Sequence, residues 1–547
     1  MKRQSSWIGA WVVGLMVTAC YGSGFIARPL PTPTVTIESG ALVGIRFGQG
    51  EDSAAFLGIP YAAPPIRDLR WKPPQPVHPW GGVRNASEFG AACPQLPARW
   101  FPDIGWNEDC LYLNIWTRHL SARAKLPVLV YFHGGSNTQG YGQMTALGPA
   151  LSPYGVVIVS ANYRLGPLGF LALPALTEES EHQSSGNYGL LDQIQALKWV
   201  RDNIAKFGGD PAQVTAIGQS AGGVDICLLM ASPLAAGLFQ RAILQSGECQ
   251  STFSEDIRRP ILYNLISGTG EGNGERLARD LGASGPDAVQ KLRSTPADVI
   301  LKAWSHDREI HFDAIVDGWV VPEQPARIFA EQKQMHIPVL VGSNADEATV
   351  FGHNEVKTIE QYKSYLWRDT GKFSEQEFRI YPVIGEAEVP AQYLRLESDS
   401  FAYGAYSLAQ AMTRAGQRAY LYFFTFTETG RRAPLGAYHG EELNFLSKTF
   451  PADWQHSPQD EQLGETIRLY WTQFAKSGNP NGAGCPHWAA YDDRSREVFE
   501  LGRNVGPRPV DPRLQQIEKV MREVLENLGN ILPPLRLFNS RAAICLK

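Results

Sequence analysis

The stretch AIGQSAGG, residues 216 to 223, sets a serine among small residues directly after an apolar run. Small neighbours on both sides of Ser220 leave room for a steep turn from a strand into a helix, which lifts the serine hydroxyl into a cleft. The Gly-x-Ser-x-Gly spacing alone is a weak signal, because an ordinary loop of small residues gives the same letters. The rest of the chain therefore decides whether Ser220 is a nucleophile.

Short apolar runs recur along the chain and predict strands. Several are apolar on both faces and rich in Val and Ile, which is typical of central strands covered by helices on both sides. They are LPVLVYFHGG (126–135), GVVIVSANYRLG (155–166), VTAIGQSAGG (214–223), RAILQSG (241–247), IPVLVGSNADE (337–347) and AYLYFFTFT (419–427).

The segment NYGLLDQIQALKWVRDNIAKFG (187–208) lies between two of these runs and repeats apolar residues at the period of an amphipathic helix. Alternating strands and helices predict an α/β fold with a mostly parallel central sheet and helices on both faces. Such sheets carry their chemistry at the carboxyl ends of the strands. Ser220 directly follows one of these ends.

Composition excludes several other classes of protein. The chain has 547 residues, of which 44% are apolar and 19% charged, with a formal net charge of −5. This is typical of a globular protein with a large core. Nucleic-acid binding is disfavoured, since there is no long run of Lys or Arg. Neither Cys-x-x-Cys nor His-Glu-x-x-His occurs, so we expect no metal site and no cofactor.

The N-terminal stretch MKRQSSWIGAWVVGLMVTAC has the pattern of an export signal: two basic residues, an apolar run and then small residues. Its end resembles a bacterial lipobox, so we expect residues 1–19 to be removed and Cys20 to be lipidated. Residues 20–36 are Pro-rich and predict a stiff spacer before the folded body. A periplasmic or outer-membrane lipoprotein is the expected form, and ordinary cleavage nearby, giving a secreted soluble protein, is the alternative.

A nucleophilic serine also needs a base and a carboxylate to orient that base. His439 lies in a polar turn after AYLYFFTFT, and Glu347 follows the strand IPVLVGSN. The order Ser220, Glu347, His439 is the chain order of an α/β-hydrolase triad. The residues alone do not separate Glu347 from three competing carboxylates, Asp346, Glu441 and Glu442.

Donors for an oxyanion are the third requirement. The backbone N–H of Ala221 would lie at a helix N-terminus, where partial positive charge favours a developing anion. In YFHGGS, Gly134 and Gly135 have no Cβ and allow the backbone close to a substrate. A simple Gly-rich turn is the alternative for this segment.

From about Gly40 to about Trp488 the chain resembles the type-B carboxylesterases, which include bacterial para-nitrobenzyl esterases, animal carboxylesterases and cholinesterases. The matching motifs occur in the family's order. They are FLGIPYAAPP, EDCLYLNIW, ANYRLGPLGFL, NYGLLDQIQALKWVRDNIAKFGGDP, GQSAGG, QSGE, NADEATVF and GAYHGEELNF.

The resemblance implies a serine hydrolase that cleaves carboxylic esters through an acyl-enzyme. Ser220 would be the nucleophile, His439 the base and Glu347 the triad acid. It also implies that residues 37–547 form one α/β-hydrolase domain, with helical insertions that form the substrate gorge.

The resemblance further implies oxyanion donors at Gly135, Ser136 and Ala221, and a disulfide between Cys93 and Cys110 beside the gorge. Spacing does not predict how the remaining cysteines, Cys227, Cys249, Cys485 and Cys545, are paired.

Two residues depart from the family pattern. Ser136 stands where a third glycine is usual, which adds a Cβ and a hydroxyl to the loop. Gln219 stands where Glu is common, which removes a carboxylate beside the nucleophile and disfavours cationic choline esters. Trp100 matches the spacing of the choline-binding tryptophan of cholinesterases, but loop packing is the interpretation we favour.

We therefore expect a small-molecule ester as the partner, and a membrane only through the lipid anchor. Amide, carbamate or thioester hydrolysis would use the same triad, and a non-catalytic surface protein of this fold is a further alternative. GTGEGNGE (268–275) predicts a flexible loop. HDREIHF (306–312) predicts an exposed helix of mixed charge, and the lining of a polar pocket for a carboxylated substrate is the alternative.

Overall fold

The computed structural model describes residues 32–48, 53–97, 102–143, 146–249, 269–307, 309–351, 356–482 and 484–529. The predicted signal at 1–19, Cys20, Trp100 and Cys545 lie outside the described residues. The first strand begins at Thr34, so the last residues of the predicted spacer belong to the folded body.

The strands of the described residues are numbered β1 to β14 in chain order. They are Thr34–Ile37, Gly40–Val43, Ile45–Arg46, Ala54–Pro60, Val83–Asn85, Tyr112–Thr117, Leu126–Phe132, Val157–Ala161, Gly209–Gln219, Arg241–Gln245, Val339–Asn344, Ala419–Phe424, Glu497–Leu501 and Val505–Pro509.

These strands form two sheets. A small sheet has the order β1-β2-β5, and a large one has the order β14-β13-β12-β11-β10-β9-β7-β8-β6-β4-β3. In the large sheet the central strands β8, β7, β9, β10, β11, β12 and β13 run parallel. Both flanks are antiparallel. The predicted mostly parallel central sheet is confirmed, and each of the six predicted runs overlaps one of its strands.

The α-helices of the described residues are numbered α1 to α15. They are Leu147–Leu151, Gly166–Phe170, Pro174–Glu179, Tyr188–Asn203, Ala221–Ala231, Gly270–Asp280, Ala288–Ser294, Ala297–His306, Pro325–Ala330, Ile359–Thr370, Ser374–Ile380, Val389–Arg414, Glu442–Ser447, Pro458–Ser477 and Pro512–Gly529. No helix in this part of the chain is both long and apolar enough to cross a membrane.

The alternation of side chains along the strands divides the core between the two faces of the large sheet. In β7, Val128 and Val130 pack into one apolar cluster, while Leu129 and Tyr131 pack into another on the opposite face. Both sets are buried, because helices cover each face. Because the central strands are parallel, their carboxyl ends all lie at one edge of the sheet, and Ser220 directly follows β9 at that edge.

Two predictions about local structure are wrong. The Gly-rich segment GTGEGNGE was expected to be a loop, but α6 begins within it at Gly270, capped by the Thr269 hydroxyl, which accepts from the N–H of Gly272 at 3.0 Å. A Cβ on Gly274 would lie 1.8 Å from the Ala172 carbonyl oxygen, so the glycines allow this helix to pack closely. Close tertiary packing here overrides the low helix propensity of glycine.

The segment HDREIHF was expected to be an exposed helix, but α8 ends at His306 and most of the segment follows as a loop. Ile310 and Phe312 are buried in the main core. An exposed helix of mixed charge would leave both side chains at the surface. The apolar pair, two residues apart, is the signal that outweighs the charges.

Candidate active site

Ser220 occupies a strained turn between β9 and α5. Its φ is +55° and its ψ is −129°, a conformation that L-residues rarely adopt. Such a residue costs about 1–3 kcal/mol and persists only where the surrounding structure enforces it. The neighbouring strand helps to do so, because the N–H of Ser220 donates to the carbonyl of Gln245 at 2.8 Å.

The glycines around Ser220 are required by close approach of the backbone. A Cβ on Gly218 would lie 2.3 Å from the Gly222 carbonyl oxygen, and one on Gly222 would lie 2.2 Å from the carbonyl oxygen of Phe132. A Cβ on Gly134 would lie 2.9 Å from the Cβ of Ser220 itself. The Gly134 turn after β7 is therefore pressed against the serine.

The structure brings His439 and Glu347 together. His439 Nδ1 lies 2.5 Å from Glu347 Oε2, and Glu347 Oε1 accepts the N–H of Asn344 at 2.7 Å. Glu347 is fully buried. Because a carboxylate only accepts hydrogen bonds, Nδ1 carries the proton, and Nε2 is left as the acceptor that a general base needs.

The three competing carboxylates have other partners or positions. Asp346 accepts the N–H of Ala437 at 2.9 Å, which closes the turn before His439. Glu442 accepts from the Gln245 amide at 3.0 Å and from the Asn344 amide at 2.6 Å. Within the described residues, neither carboxylate oxygen of Glu441 has a hydrogen-bond partner that meets normal geometry.

These buried acids have shifted acidities. Burial, with the neighbouring charge of Glu347, raises the pKa of Glu442 to about 7. Burial raises the pKa of Glu441 to about 9, and the charges of Glu428 and Glu442 add to the shift. Glu347 is thus the carboxylate whose geometry orients the imidazole.

Gln219 contacts the other nitrogen of the imidazole. Its Nε2 lies 3.0 Å from His439 Nε2, and since that nitrogen is the acceptor, the amide donates to it. The resting contact therefore occupies the atom that would receive the serine proton. A glutamate at this position would offer an acceptor and a negative charge instead.

The loop after β7 places its backbone beside the serine. Gly135 has φ +116°, and a Cβ there would lie 2.2 Å from the Gln139 carbonyl oxygen. Ser136 and Asn137 follow with φ +53° each, so two consecutive non-glycine residues are left-handed. The expected oxyanion donors at Gly135, Ser136 and Ala221 thus belong to the loop and to the start of α5, the two segments that meet at Ser220.

The side chain of Gln95 fixes the end of this loop with two hydrogen bonds. The amide of Gln95 accepts the N–H of Gly140 at 2.8 Å and donates to its carbonyl at 2.9 Å. Gln95 follows Cys93, which forms a disulfide with Cys110. The bridge predicted from the family resemblance is therefore present and lies next to the loop.

A second disulfide, which spacing did not predict, joins Cys227 of α5 to Cys249. It links the helix that begins beside Ser220 to the segment after β10. Cys485 is free and half-buried. No sequence signal marks the pair, because the two cysteines meet only through the order of β9, α5 and β10.

Residues missed by sequence reasoning lie beneath the loop. Asn137 Nδ2 donates to Asp225 Oδ1 at 2.9 Å and to Asp313 Oδ1 at 2.8 Å. Burial raises the pKa of Asp225 to about 7, with a contribution from the charge of Asp313. Burial also raises the pKa of Asp313.

Among the described residues, no group of three or more His, Cys, Asp or Glu side chains is arranged to hold a metal ion. The site as described is a serine, an imidazole and a carboxylate with backbone donors. It is suited to attack by an alkoxide on a carbonyl carbon, with a general base and an oxyanion pocket.

Comparison with known proteins agrees with this chemistry. A sequence model of the carboxylesterase family matches residues 31–519. Fumonisin B1 esterase of Sphingopyxis macrogoltabida is 36% identical over 86% of this chain and 86% of its own length. Liver carboxylesterase of Sus scrofa is 33% identical over 90% of this chain and 94% of its own length.

Solved structures give the same result. A PNB esterase superimposes with a TM-score of 0.76 at 31% sequence identity, covering 90% of this chain and all of that one. The large mixed sheet and its surrounding helices are thus those of the α/β-hydrolase fold.

Proposed function

The chain belongs to the carboxylesterase family and is a carboxylic ester hydrolase, and from this premise we propose that it works through Ser220, His439 and Glu347 and an acyl-enzyme intermediate. The observation that carries the proposal is the 2.5 Å contact between His439 Nδ1 and Glu347 Oε2, with His439 Nε2 3.0 Å from the side chain of Gln219, the residue before Ser220. This arrangement supports the imidazole as a base with a fixed tautomer.

In the first half of the reaction His439 Nε2 takes the proton of Ser220 as the serine oxygen attacks the ester carbonyl. Gln219 must release Nε2 for this transfer, because it hydrogen-bonds the same atom in the resting site. Glu347 stabilises the imidazolium, and the alcohol leaves with the proton from His439. The acyl group is then bonded to the serine oxygen.

In the second half water attacks the carbonyl carbon of the acyl-enzyme and gives a proton to His439. The bond from that carbon to the serine oxygen then breaks, His439 returns the proton to Ser220, and the carboxylic acid is released. The tetrahedral intermediates of both halves carry negative charge on the former carbonyl oxygen. The N–H groups of Gly135, Ser136 and Ala221 are proposed to bind that oxygen. Each such donor contributes about 2.7–4 kcal/mol in the transition state.

Labelling and mutation test this proposal. A fluorophosphonate probe should label the wild-type protein at Ser220 and leave Ser220→Ala unlabelled, and the variant should lose roughly 10⁶-fold in kcat on p-nitrophenyl butyrate. Ser246→Ala is a matched control, since Ser246 directly follows the neighbouring strand β10 and also has a left-handed φ of +51°. Labelling or turnover that survives in Ser220→Ala would refute the assignment.

We also propose that the protein is exported and anchored through a lipid on Cys20. The charged, apolar and small-residue order of residues 1–20 supports this. Cys20→Ala should move the protein from the membrane pellet to the soluble exported fraction. An unchanged membrane fraction, or an equally soluble wild type, contradicts the anchor.

A further inference from the structure

The oxyanion donors of the proposed mechanism come from two separate segments that must be held in register. Ala221 begins α5, whereas Gly135 and Ser136 lie in the loop after β7. The two segments pack closely where Gly222 meets the Phe132 carbonyl, but this contact lies before Gly135 and Ser136 and does not hold the loop beyond it. A side-chain contact between the two segments would do so.

Asn137 makes that contact. It is buried, and its Nδ2 reaches Asp225 Oδ1 in α5, one turn beyond Ala221, at 2.9 Å. The same amide reaches Asp313 Oδ1 at 2.8 Å, and Asp313 Oδ1 also accepts the N–H of Ala314 at 2.7 Å. One amide group thus joins the loop, the nucleophile helix and the segment after α8.

The orientation of the amide follows from its partners. Ionised carboxylates only accept, so with both aspartates ionised the NH₂ of Asn137 faces them, as the structure has it. Within the described residues its Oδ1 has no partner, and the same is true of Gln193 Oε1, whose Nε2 donates to Asp225. The NH₂ groups of Asn137 and Gln193 thus both point at the carboxylate of Asp225.

The loop needs such a restraint because its backbone is strained. Ser136 and Asn137 both have φ +53°. Each non-glycine residue in this region costs about 1–2 kcal/mol, although asparagine tolerates it better than serine. Without a restraint Ser136 would relax toward negative φ and turn its N–H away from the substrate oxygen.

We propose that Asn137 and Asp225 are positioning residues that hold the Ser136 donor in register with the Ala221 donor. The proposal rests on the proposed function, since it assumes an oxyanion at these N–H groups. It adds that the register depends on one side-chain bridge between the loop and the nucleophile helix. Asp313 and Gln193 complete the bridge by holding the amide and the carboxylate.

Asn137→Leu removes the bridge and tests the proposal in the full-length protein. Misplacing a catalytic group by about 1 Å costs roughly a hundredfold, so kcat on p-nitrophenyl butyrate should fall by about that factor with KM within about threefold. The inhibition constant of a trifluoromethyl ketone, which forms a tetrahedral adduct with an oxyanion, should rise by the same factor as kcat/KM falls. Rates are expressed per active site titrated with a fluorophosphonate.

A purely structural role would lower the fraction of titratable sites or the melting temperature, but would not move the inhibitor constant per site. Asn203→Leu is the matched control, since Asn203 is also buried and donates to a carbonyl in α4. Unchanged kcat per site, a rise in KM alone or an unchanged inhibitor constant for Asn137→Leu would each overturn the proposal.

If Asn137→Leu does not fold, Asp225→Asn decides. It keeps an acceptor for Asn137 but sets a donor against the amide of Gln193, so kcat should fall by about 3- to 10-fold in parallel with inhibitor affinity. Adding Gln193→Glu restores an acceptor there and should recover most of the loss. No loss in Asp225→Asn, or no recovery in the double variant, overturns the bridge, whereas activity in Ser220→Ala would instead refute the proposed function.

Discussion

The two halves of the site are built in different ways. The base half consists of Glu347, His439 and Glu442, in which each carboxylate oxygen has a hydrogen-bond partner at 2.5–3.0 Å. The loop half consists of Gly135, Ser136 and Asn137 together with Asp225. It combines left-handed backbone with a buried amide oxygen that has no partner in the described part of the chain.

The difference shows where the site can tolerate change. The base half is a satisfied network, so removing one member leaves a buried charge or a wrong tautomer, and the effect is large. The loop half has a strained backbone, so the position of its N–H donors depends on steric fit and on the bridge between Asn137 and Asp225. Substitutions there should lower the activity by smaller and varied amounts. Substitutions in each half therefore test the contrast.

The largest effect is expected in the base half, from Glu347→Gln. The amide can donate to His439 Nδ1 and would favour the tautomer in which Nε2 carries the proton and no longer serves as a base. A loss of about 10⁴-fold in kcat is expected, as in other triads in which an amide replaces the acid. Steady-state kinetics on p-nitrophenyl butyrate measures it.

Asp346→Asn is the matched control, because Asp346 is adjacent but binds the N–H of Ala437 instead of the imidazole. Its kcat should stay within about fivefold of the wild type, since the amide oxygen can still accept that hydrogen bond. The reverse ranking of the two variants would make Asp346 the triad acid.

In the loop half, Gly135→Ala should have the next largest effect. Its Cβ would meet the Gln139 carbonyl oxygen at 2.2 Å, and φ +116° is strained for alanine, so the donor at this position moves. Loss of one oxyanion donor lowers kcat by about 10²- to 10³-fold. Gly155→Ala is the control, since Gly155 has φ +76° but nothing within 4 Å of the added Cβ.

If Gly135→Ala keeps wild-type kcat, the loop does not supply donors. Equal losses in both glycine variants would show that backbone strain alone, and not the position of the loop, lowers the activity.

The fold could be predicted where short apolar runs, typical of buried strands, recur along the chain. Each of the strands β7 to β12 contains a short apolar run, so their type and order follow from the sequence pattern. The α6 helix could not be predicted, because its glycines are explained only by contact with Ala172. The prediction for HDREIHF, after α8, is wrong because mixed charges that directly follow a helix have the same pattern as an exposed continuation of that helix.

The site divides in the same way. Ser220, Glu347 and His439 stand in motifs at strand ends. The residues alone leave Asp346 open as the acid, and the family resemblance and the folded geometry favour Glu347. The bridge through Asn137 joins residues 88 and 176 positions apart, and no local pattern announces such a contact.

A smaller effect is expected where the two halves meet, at Gln219. Gln219→Glu adds a negative charge beside His439 and the alcohol side of the site, which favours the protonated imidazole and a cationic substrate. The rising limb of the pH–rate profile should move to higher pH. The ratio of kcat/KM for butyrylcholine to that for 3,3-dimethylbutyl butyrate, its neutral isostere, should rise roughly tenfold, or about 1.4 kcal/mol.

The neutral isostere controls for shape, so an unchanged ratio would show that Gln219 does not face the alcohol group. A profile that moves to lower pH would contradict the contact with His439.

The smallest effect on the site is expected at Glu441, a buried acid next to Glu442 of the base half, and it concerns stability. Its pKa in the folded protein is raised from 4.5 to about 9, because burial and the charges of Glu428 and Glu442 disfavour the carboxylate. The folded state thus holds a proton that the unfolded state releases. The stabilisation from this proton is fully present below pH 4.5 and is lost as the pH rises through about 9. Glu441→Gln cannot ionise, so its free energy of unfolding should vary less with pH across this window and should exceed the wild-type value at pH 8.5. Denaturant unfolding at several pH values measures this, with the exposed Glu497→Gln in β13 as the control. If the free energies of unfolding of wild type and Glu441→Gln depend on pH in the same way, the Glu441 carboxylate is already ionised in the folded protein.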